Sequence, residues 1–174
     1  MADVIALLAE RREEIKAIGK LYRELSKSLG GETASHVLCE AIAAEAHASG
    51  KRAAPRDVGE ACLGHFASAF NGRGADGGIE GRCHMTEDGK LIFEIDRCDY
   101  HALYHSSDLP PAISDALSCG REEPFAKGYD PRIALDSRAE PSGENHSCRM
   151  VFSWNPVAID KEEKPRTTLK VRDN

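Results

Sequence analysis

The stretch "IEGRCHMTEDGKLIFEIDRC", residues 79–98, decides the fold. Two segments of strand-like character flank Asp88-Gly89, a dipeptide that favours the positive φ values of a tight hairpin turn. Leu91, Ile92, Phe93 and Ile95 concentrate the β-branched and bulky apolar residues of the second segment. The whole stretch reads as an antiparallel hairpin. Downstream, "PRIALDSRA" and "SCRMVFSW" alternate well enough to be two further strands, joined by a turn around Pro141 to Gly143. Between the second and third strands the sequence predicts two helices. One starts at about Asp99; the other runs from Pro110 to Ser118, with proline near its start, where a missing N–H costs little.

Upstream of the hairpin the texture is helical. Leu8, Ile15, Ile18, Tyr22, Leu25 and Leu29 recur at intervals of three, four or seven and form one apolar stripe. Gly30-Gly31 ends that helix. Thr33 or Ser35 offers a cap for a second helix reaching about Gly50, and a third lies near Asp57 to Phe70, before the turn-rich "NGRGADGG". The first stripe serves either a helical hairpin packed on the rest of the domain or a homodimer interface, and the hairpin is favoured. Helices first, then an antiparallel sheet with inserted helices, is the α+β class. The expected unit is one domain over residues 1–157, helical over 1–76 and sheet-forming over 77–157. Residues 158–174 read as a charged, solvated tail.

At 174 residues the chain holds one domain with a real core and not two comfortable ones. A net charge of -6 disfavours nucleic acid, which is bound by neutralising phosphates, and with only 6% aromatic residues a base-stacking platform is not expected. No stretch approaches a membrane span, and the N-terminus lacks a signal-peptide shape. The expected setting is the cytoplasm, where thiols stay reduced, with a small molecule as partner.

Six cysteines in that setting are ligands, nucleophiles or small buried hydrophobes rather than a disulfide framework. Cys39 and Cys62 sit in apolar helical contexts and read as packing. Cys98, Cys119 and Cys148 each fall at the end of an expected element, where chemistry tends to gather. Glu122 follows Cys119 by one helical turn. Three thiolates and this carboxylate would suit a tetrahedral zinc ion, although the sequence has no C-x-x-C pair. A nucleophilic thiol would instead need a base: His101 shares a helical face with Cys98, and His105 lies a turn further on. His84 and His146 are looser candidates. Arg97 and Arg121 adjoin two of the cysteines and would favour a thiolate or an anionic substrate. "NGRGADGG" lacks the order of a phosphate loop.

Three runs, "RCDYHALY", "ALSCGREEPFAKGYDPRIAL" and "DSRAEPSGENHSCRMVF", together resemble the L-2-amino-thiazoline-4-carboxylic acid hydrolase family. The resemblance rests on Arg97, Cys98 and Tyr100; on Ser118, Cys119 and Glu122; on Gly128, Tyr129 and Pro131; and on Arg138, Gly143, Cys148 and Phe152. It covers roughly residues 90–154, with the N-terminal helices agreeing in length and character. Glu122 stands where the family usually has aspartate, and Arg149 where aspartate is usual after the last cysteine. The resemblance implies a hydrolase that opens a heterocyclic, amidine-like ring by adding water. Arg138 or Arg97, with Tyr100, would bind the substrate carboxylate, and Glu122 would act as general acid or base. Cys119 would attack the ring carbon, or a zinc ion on Cys98, Cys119 and Cys148 would activate water. The same features also resemble 4-vinyl reductase-like sensor domains, which bind a small molecule without turnover over a structural cysteine or metal site.

Overall fold

The computed structural model describes residues 2–55, 62–72, 78–138 and 146–155. The expected turn at Pro141 to Gly143, most of "NGRGADGG" and the charged tail lie outside these residues. Within them the order is α1 (Ala2–Leu29), α2 (Gly31–Ala53), α3 (Leu63–Gly72), β1 (Ile79–Met85), β2 (Leu91–Cys98), α4 (Asp99–His105), α5 (Pro111–Leu117), a 3-10 turn (Cys119–Arg121), α6 (Glu122–Tyr129), β3 (Ile133–Arg138) and β4 (Cys148–Trp154). The fold is α+β, with N-terminal helices set against a four-stranded antiparallel sheet in the order β1-β2-β4-β3.

The β1–β2 hairpin forms where the sequence places it. Gly89 takes φ 78°, which the turn requires, and Thr86 and Lys90 close it with a 2.8 Å backbone bond. β2 is paired on both edges, with β1 and β4, and its Leu91, Ile92, Phe93 and Ile95 are buried while Asp96 is exposed. Leu91, Phe93 and Ile95 point to one face, together with Met150 and Phe152 of β4, and meet Phe66, Phe70, Phe125 and Tyr129 there. Phe66 is the hub, with ring centroids 5.2–6.3 Å from Phe70, Phe125, Tyr129 and Phe152.

α1 and α2 form the expected hairpin about Gly30, whose φ is 83°. The stripe residues Ile15, Ile18, Tyr22 and Leu25 pack on a second core made by Leu38, Tyr104, Leu109, Ile113 and Leu117. These four therefore serve the interior of this chain, while Leu29 at the end of the stripe is exposed. Two boundaries differ from the sequence reading. α2 begins at Gly31 with no side-chain cap, ahead of Thr33 and Ser35, and continues to Ala53, stopping just before Pro55. The described part of the third helix starts at Leu63, residues 56–61 lying outside the description.

The larger difference is α6, which sequence reading passed over. Gly120, Pro124 and Gly128 punctuate "CGREEPFAKGY" like a loop. Pro124 in fact falls in the first turn of α6, where its missing N–H is not needed. Gly128 is required by packing: a Cβ there would lie 1.9 Å from the carbonyl oxygen of His47. Across the same contact, a Cβ on Gly50 would lie 2.0 Å from the carbonyl oxygen of Phe125. The two glycines let α2 and α6 touch backbone to backbone, and that contact fixes the chain that follows Cys119.

Candidate functional site

Between the sheet core and the helical core lies a cavity of about 960 Å3. β2 turns directly into α4 at one end of it, and Cys98 occupies the capping position, its Sγ accepting from the backbone N–H of His101 at 3.4 Å. A cap is usually Ser, Asp or Asn; a thiol here fills that place while facing the cavity. Cys119 and Arg121 come from the 3-10 turn, Glu122 opens α6, and Cys148 enters from β4, paired across the sheet with Ile95. All five line the cavity with Tyr100 and Ser118. Cys98, Cys119 and Cys148 are half-buried thiols.

Three further side chains complete a polar network with Arg121 at this end. Glu14 of α1 accepts from the Tyr104 hydroxyl at 2.6 Å and from Arg11 Nη1 at 3.1 Å, and its Oε1 lies 3.5 Å from Arg121 Nη2. All four groups line the cavity. Burial pushes the Glu14 carboxyl up, but Tyr104, Arg121 and Arg11 outweigh it and hold the group below the ordinary carboxylate value. Burial, reinforced by the Glu14 carboxylate, raises the Tyr104 phenol so that it stays a donor. Arg121 Nε is buried without a hydrogen-bond partner among the described residues. A buried guanidinium donor left open is costly unless a ligand takes it.

Burial likewise raises the Cys98 thiol; the N–H groups of His101 and Tyr100 oppose the rise, and Glu122 and Asp99 add to it. Cys98 is therefore a protonated thiol at neutral pH. Among the described residues, no group of three or more His, Cys, Asp or Glu is arranged to hold a metal ion. The zinc set expected from Cys98, Cys119, Cys148 and Glu122 is thus a shared lining without a ligand geometry.

Other sequence-derived candidates stand elsewhere. Arg97 is held by Glu80 at 2.6 Å and by Asp99 at 3.1 Å, and it is not among the cavity-lining residues. Arg138 ends β3 opposite Met150, and its side chain lies outside the description. His101 is not among the cavity-lining residues: its ring stacks on His105 at 4.1 Å, and its Nδ1 is 3.2 Å from Nδ1 of His146. His105 meets Asp115 at 3.2 Å and the Ser118 hydroxyl at 3.4 Å. His146 is the one described non-glycine residue with positive φ, at 51°. His84 is an exposed residue of β1. Cys39 donates to the carbonyl of Ala112 at 3.4 Å, and Cys62 is exposed rather than packed.

Arg11, Glu14 and Tyr104 are the members that sequence reading missed. The "RREE" run reads as a solvated face, yet Arg11 and Glu14 fall on the side of α1 that carries Ile15 and Ile18. Charges on the apolar stripe were the available signal.

No curated protein matches this chain. A family model described as L-2-amino-thiazoline-4-carboxylic acid hydrolase matches residues 10–152, which extends the likeness from the motifs after residue 90 back through the helical hairpin. By that match, covering most of the chain, the protein belongs to the L-2-amino-thiazoline-4-carboxylic acid hydrolase family.

Proposed function

We propose that this chain is a hydrolase that adds water at the amidine-like carbon of a small heterocycle, 2-aminothiazoline-4-carboxylate or a related cyclic amide or amidine. One observation carries the reading: Cys98, Cys119, Glu122 and Cys148, drawn from separate stretches of chain, line one cavity beside an arginine with an open donor.

Glu122 takes the proton of Cys119, and the thiolate adds to the ring carbon between the two heteroatoms. The adduct collapses by breaking one ring bond, and Glu122 returns the proton to the departing heteroatom. Glu122 then takes a proton from water as its oxygen attacks the carbon held on Cys119, and passes that proton to the neighbouring nitrogen. The second adduct expels Cys119, which recovers a proton from the new hydroxyl as the carbonyl forms. One water is consumed, and the product is an open-chain carbamoyl compound: N-carbamoyl cysteine if the C–S bond breaks, S-carbamoyl cysteine if C–N does. Cys98, kept protonated by burial, is a second donor beside the ring. Arg121 receives the carboxylate, the role sequence reading gave to Arg97 or Arg138, because its Nε is the buried donor awaiting an acceptor.

The test is incubation with L-2-amino-thiazoline-4-carboxylate, followed by mass spectrometry. A product heavier by one water, absent with Cys119→Ser and slowed with Arg121→Met, is the expected result. Unchanged turnover by Cys119→Ser would rule out the thiol mechanism, and absence of product from this compound and from related cyclic amides and amidines would rule out the hydrolase.

A further inference from the structure

The cavity is far larger than a five-membered ring with a carboxylate. At about 960 Å3 it stands near the top of the roughly 300–1,000 Å3 range of sites for drug-sized ligands. Its polar groups are also unevenly placed. Cys98, Tyr100, Tyr104, Cys119, Arg121 and Glu122 gather where β2 ends and α4 and α6 begin. At about 3.3 Å per residue, β2 leads from Cys98 back to Phe93 over about 16 Å. Along that length the wall is mostly apolar: Phe93, Ile95 and Met150 of the sheet, Phe70 of α3, and Leu38 and Ile42 of α2, which also brings Glu45 and Ser49 to the lining. Phe70 and Phe93 close the far end with ring centroids 4.5 Å apart. The wall's charged and amide side chains are engaged with the protein itself, Arg82 with Glu94 at 2.6 Å, Glu45 with Arg52 at 2.6 Å and Asn71 with the Cys83 thiol at 3.3 Å.

We propose that the natural substrate is amphipathic: a compact anionic, ring-bearing head at Arg121 and Cys119, and an apolar body lying along β2 toward Phe70 and Phe93. The reading rests on this cavity being the substrate site of the proposed hydrolase, and it departs from a bare aminothiazoline as the best substrate. An apolar wall of this length contributes only if it is covered. Each methylene laid on it is worth about 0.8 kcal/mol, or about fourfold in affinity.

The test is calorimetric titration of the full chain with acetate, hexanoate, decanoate and decanamide, with the mass-spectrometric ring-opening assay run on the bare ring alongside. Decanoate should bind at least ~10-fold tighter than hexanoate, given about fourfold per methylene. Decanamide should bind more weakly than decanoate, and Arg121→Met should remove that difference. Cys83→Phe fills the far end and should abolish the gain from hexanoate to decanoate without weakening hexanoate. Ile42→Phe is the second variant for the same purpose, should the first not fold. Equal affinity for hexanoate and decanoate would overturn the inference, as would a chain-length gain that survives both filling variants. Ring opening without a chain-length gain sinks this inference alone; a chain-length gain without ring opening of any cyclic substrate sinks the hydrolase reading alone.

Discussion

Gly128→Ala is the substitution on which local propensity and tertiary packing disagree most sharply. In a helix interior alanine is better than glycine by up to about 1 kcal/mol. Against that, the new Cβ would lie 1.9 Å from the His47 carbonyl oxygen and 2.7 Å from its carbon. These are backbone atoms of α2, not the far end of a flexible side chain. To reach even a tight contact the two helices must part by about 1 Å, in an interior packed as densely as an organic crystal. Overpacking of this kind costs about 1–3 kcal/mol, occasionally more, and an immovable partner puts this site at the upper end. The net expectation is a loss of about 1–2 kcal/mol. Urea unfolding of the variant beside wild type reads it directly as a lower midpoint at unchanged slope. Gly19→Ala is the control, since its Cβ would meet Arg23 and Leu109 at an ordinary 3.5 Å, and it should gain up to about 1 kcal/mol. A displaced α6 also moves Glu122 and Cys119 away from Cys98, so ring opening by folded Gly128→Ala should fall well below wild type. A variant as stable as wild type would refute the argument, because it would mean that α2 and α6 separate without cost.

Two further outcomes follow from the polar network. Tyr104→Phe removes a hydrogen bond to a carboxylate and should cost about 1.5–3 kcal/mol by urea unfolding. Because Glu14 titrates below its ordinary value of 4.5 in the folded chain, its stabilisation is complete above that pH and fades as pH falls through the lower folded value. The stability gap between wild type and Glu14→Gln should therefore be flat near neutrality and close in acid; a gap that widens in acid contradicts the assignment. For Cys98, whose thiol is raised above 9.0, alkylation by iodoacetamide followed by peptide mapping should be slow at pH 7, and its rate should still be climbing with pH beyond 9 rather than levelling off. Rapid labelling of Cys98 at neutral pH would show a thiolate there.

The parts of the fold that were legible in the sequence are those whose reasons are local. Asp88-Gly89 needs only its own turn, and the stripe from Leu8 to Leu25 needs only the helical period. α6 was illegible because its reasons are not local. Gly128 breaks a propensity rule in order to satisfy a contact with His47, a residue far away in sequence on α2. The end of β2, where Cys98 caps α4, was legible from "RCDYHALY", and so was the place of Cys119 at a helix end. That they share a site with Cys148 was expected only through the family resemblance; the packing that brings it about, β4 pairing with β2 and α6 docking on α2, was not legible. The same dependence explains why Arg97 looked like a substrate ligand: adjacency to Cys98 in sequence carries no information about Glu80, which reaches it from the neighbouring strand.

Arg11 and Glu14 show most clearly how a sequence marks a site that no motif records. A stripe facing a core should be apolar throughout, since a charge placed there loses hydration and must be repaid by partners. α1 puts two charges on that side within one turn, and the fold supplies the partners from α4 and from the turn before α6. Among the described residues these partners leave the Nε of Arg121 without an acceptor. If the cluster served stability alone, an apolar replacement of similar volume would do as well or better. Its retention beside three thiols and a carboxylate is better explained by a ligand that completes it. The double variant Glu14→Leu with Arg121→Leu separates the two cases: it should keep or raise the unfolding midpoint while abolishing carboxylate binding. If it unfolds the protein at neutral pH, with a loss matching the sum of the single variants, the cluster is structural and the anion site at Arg121 falls with it.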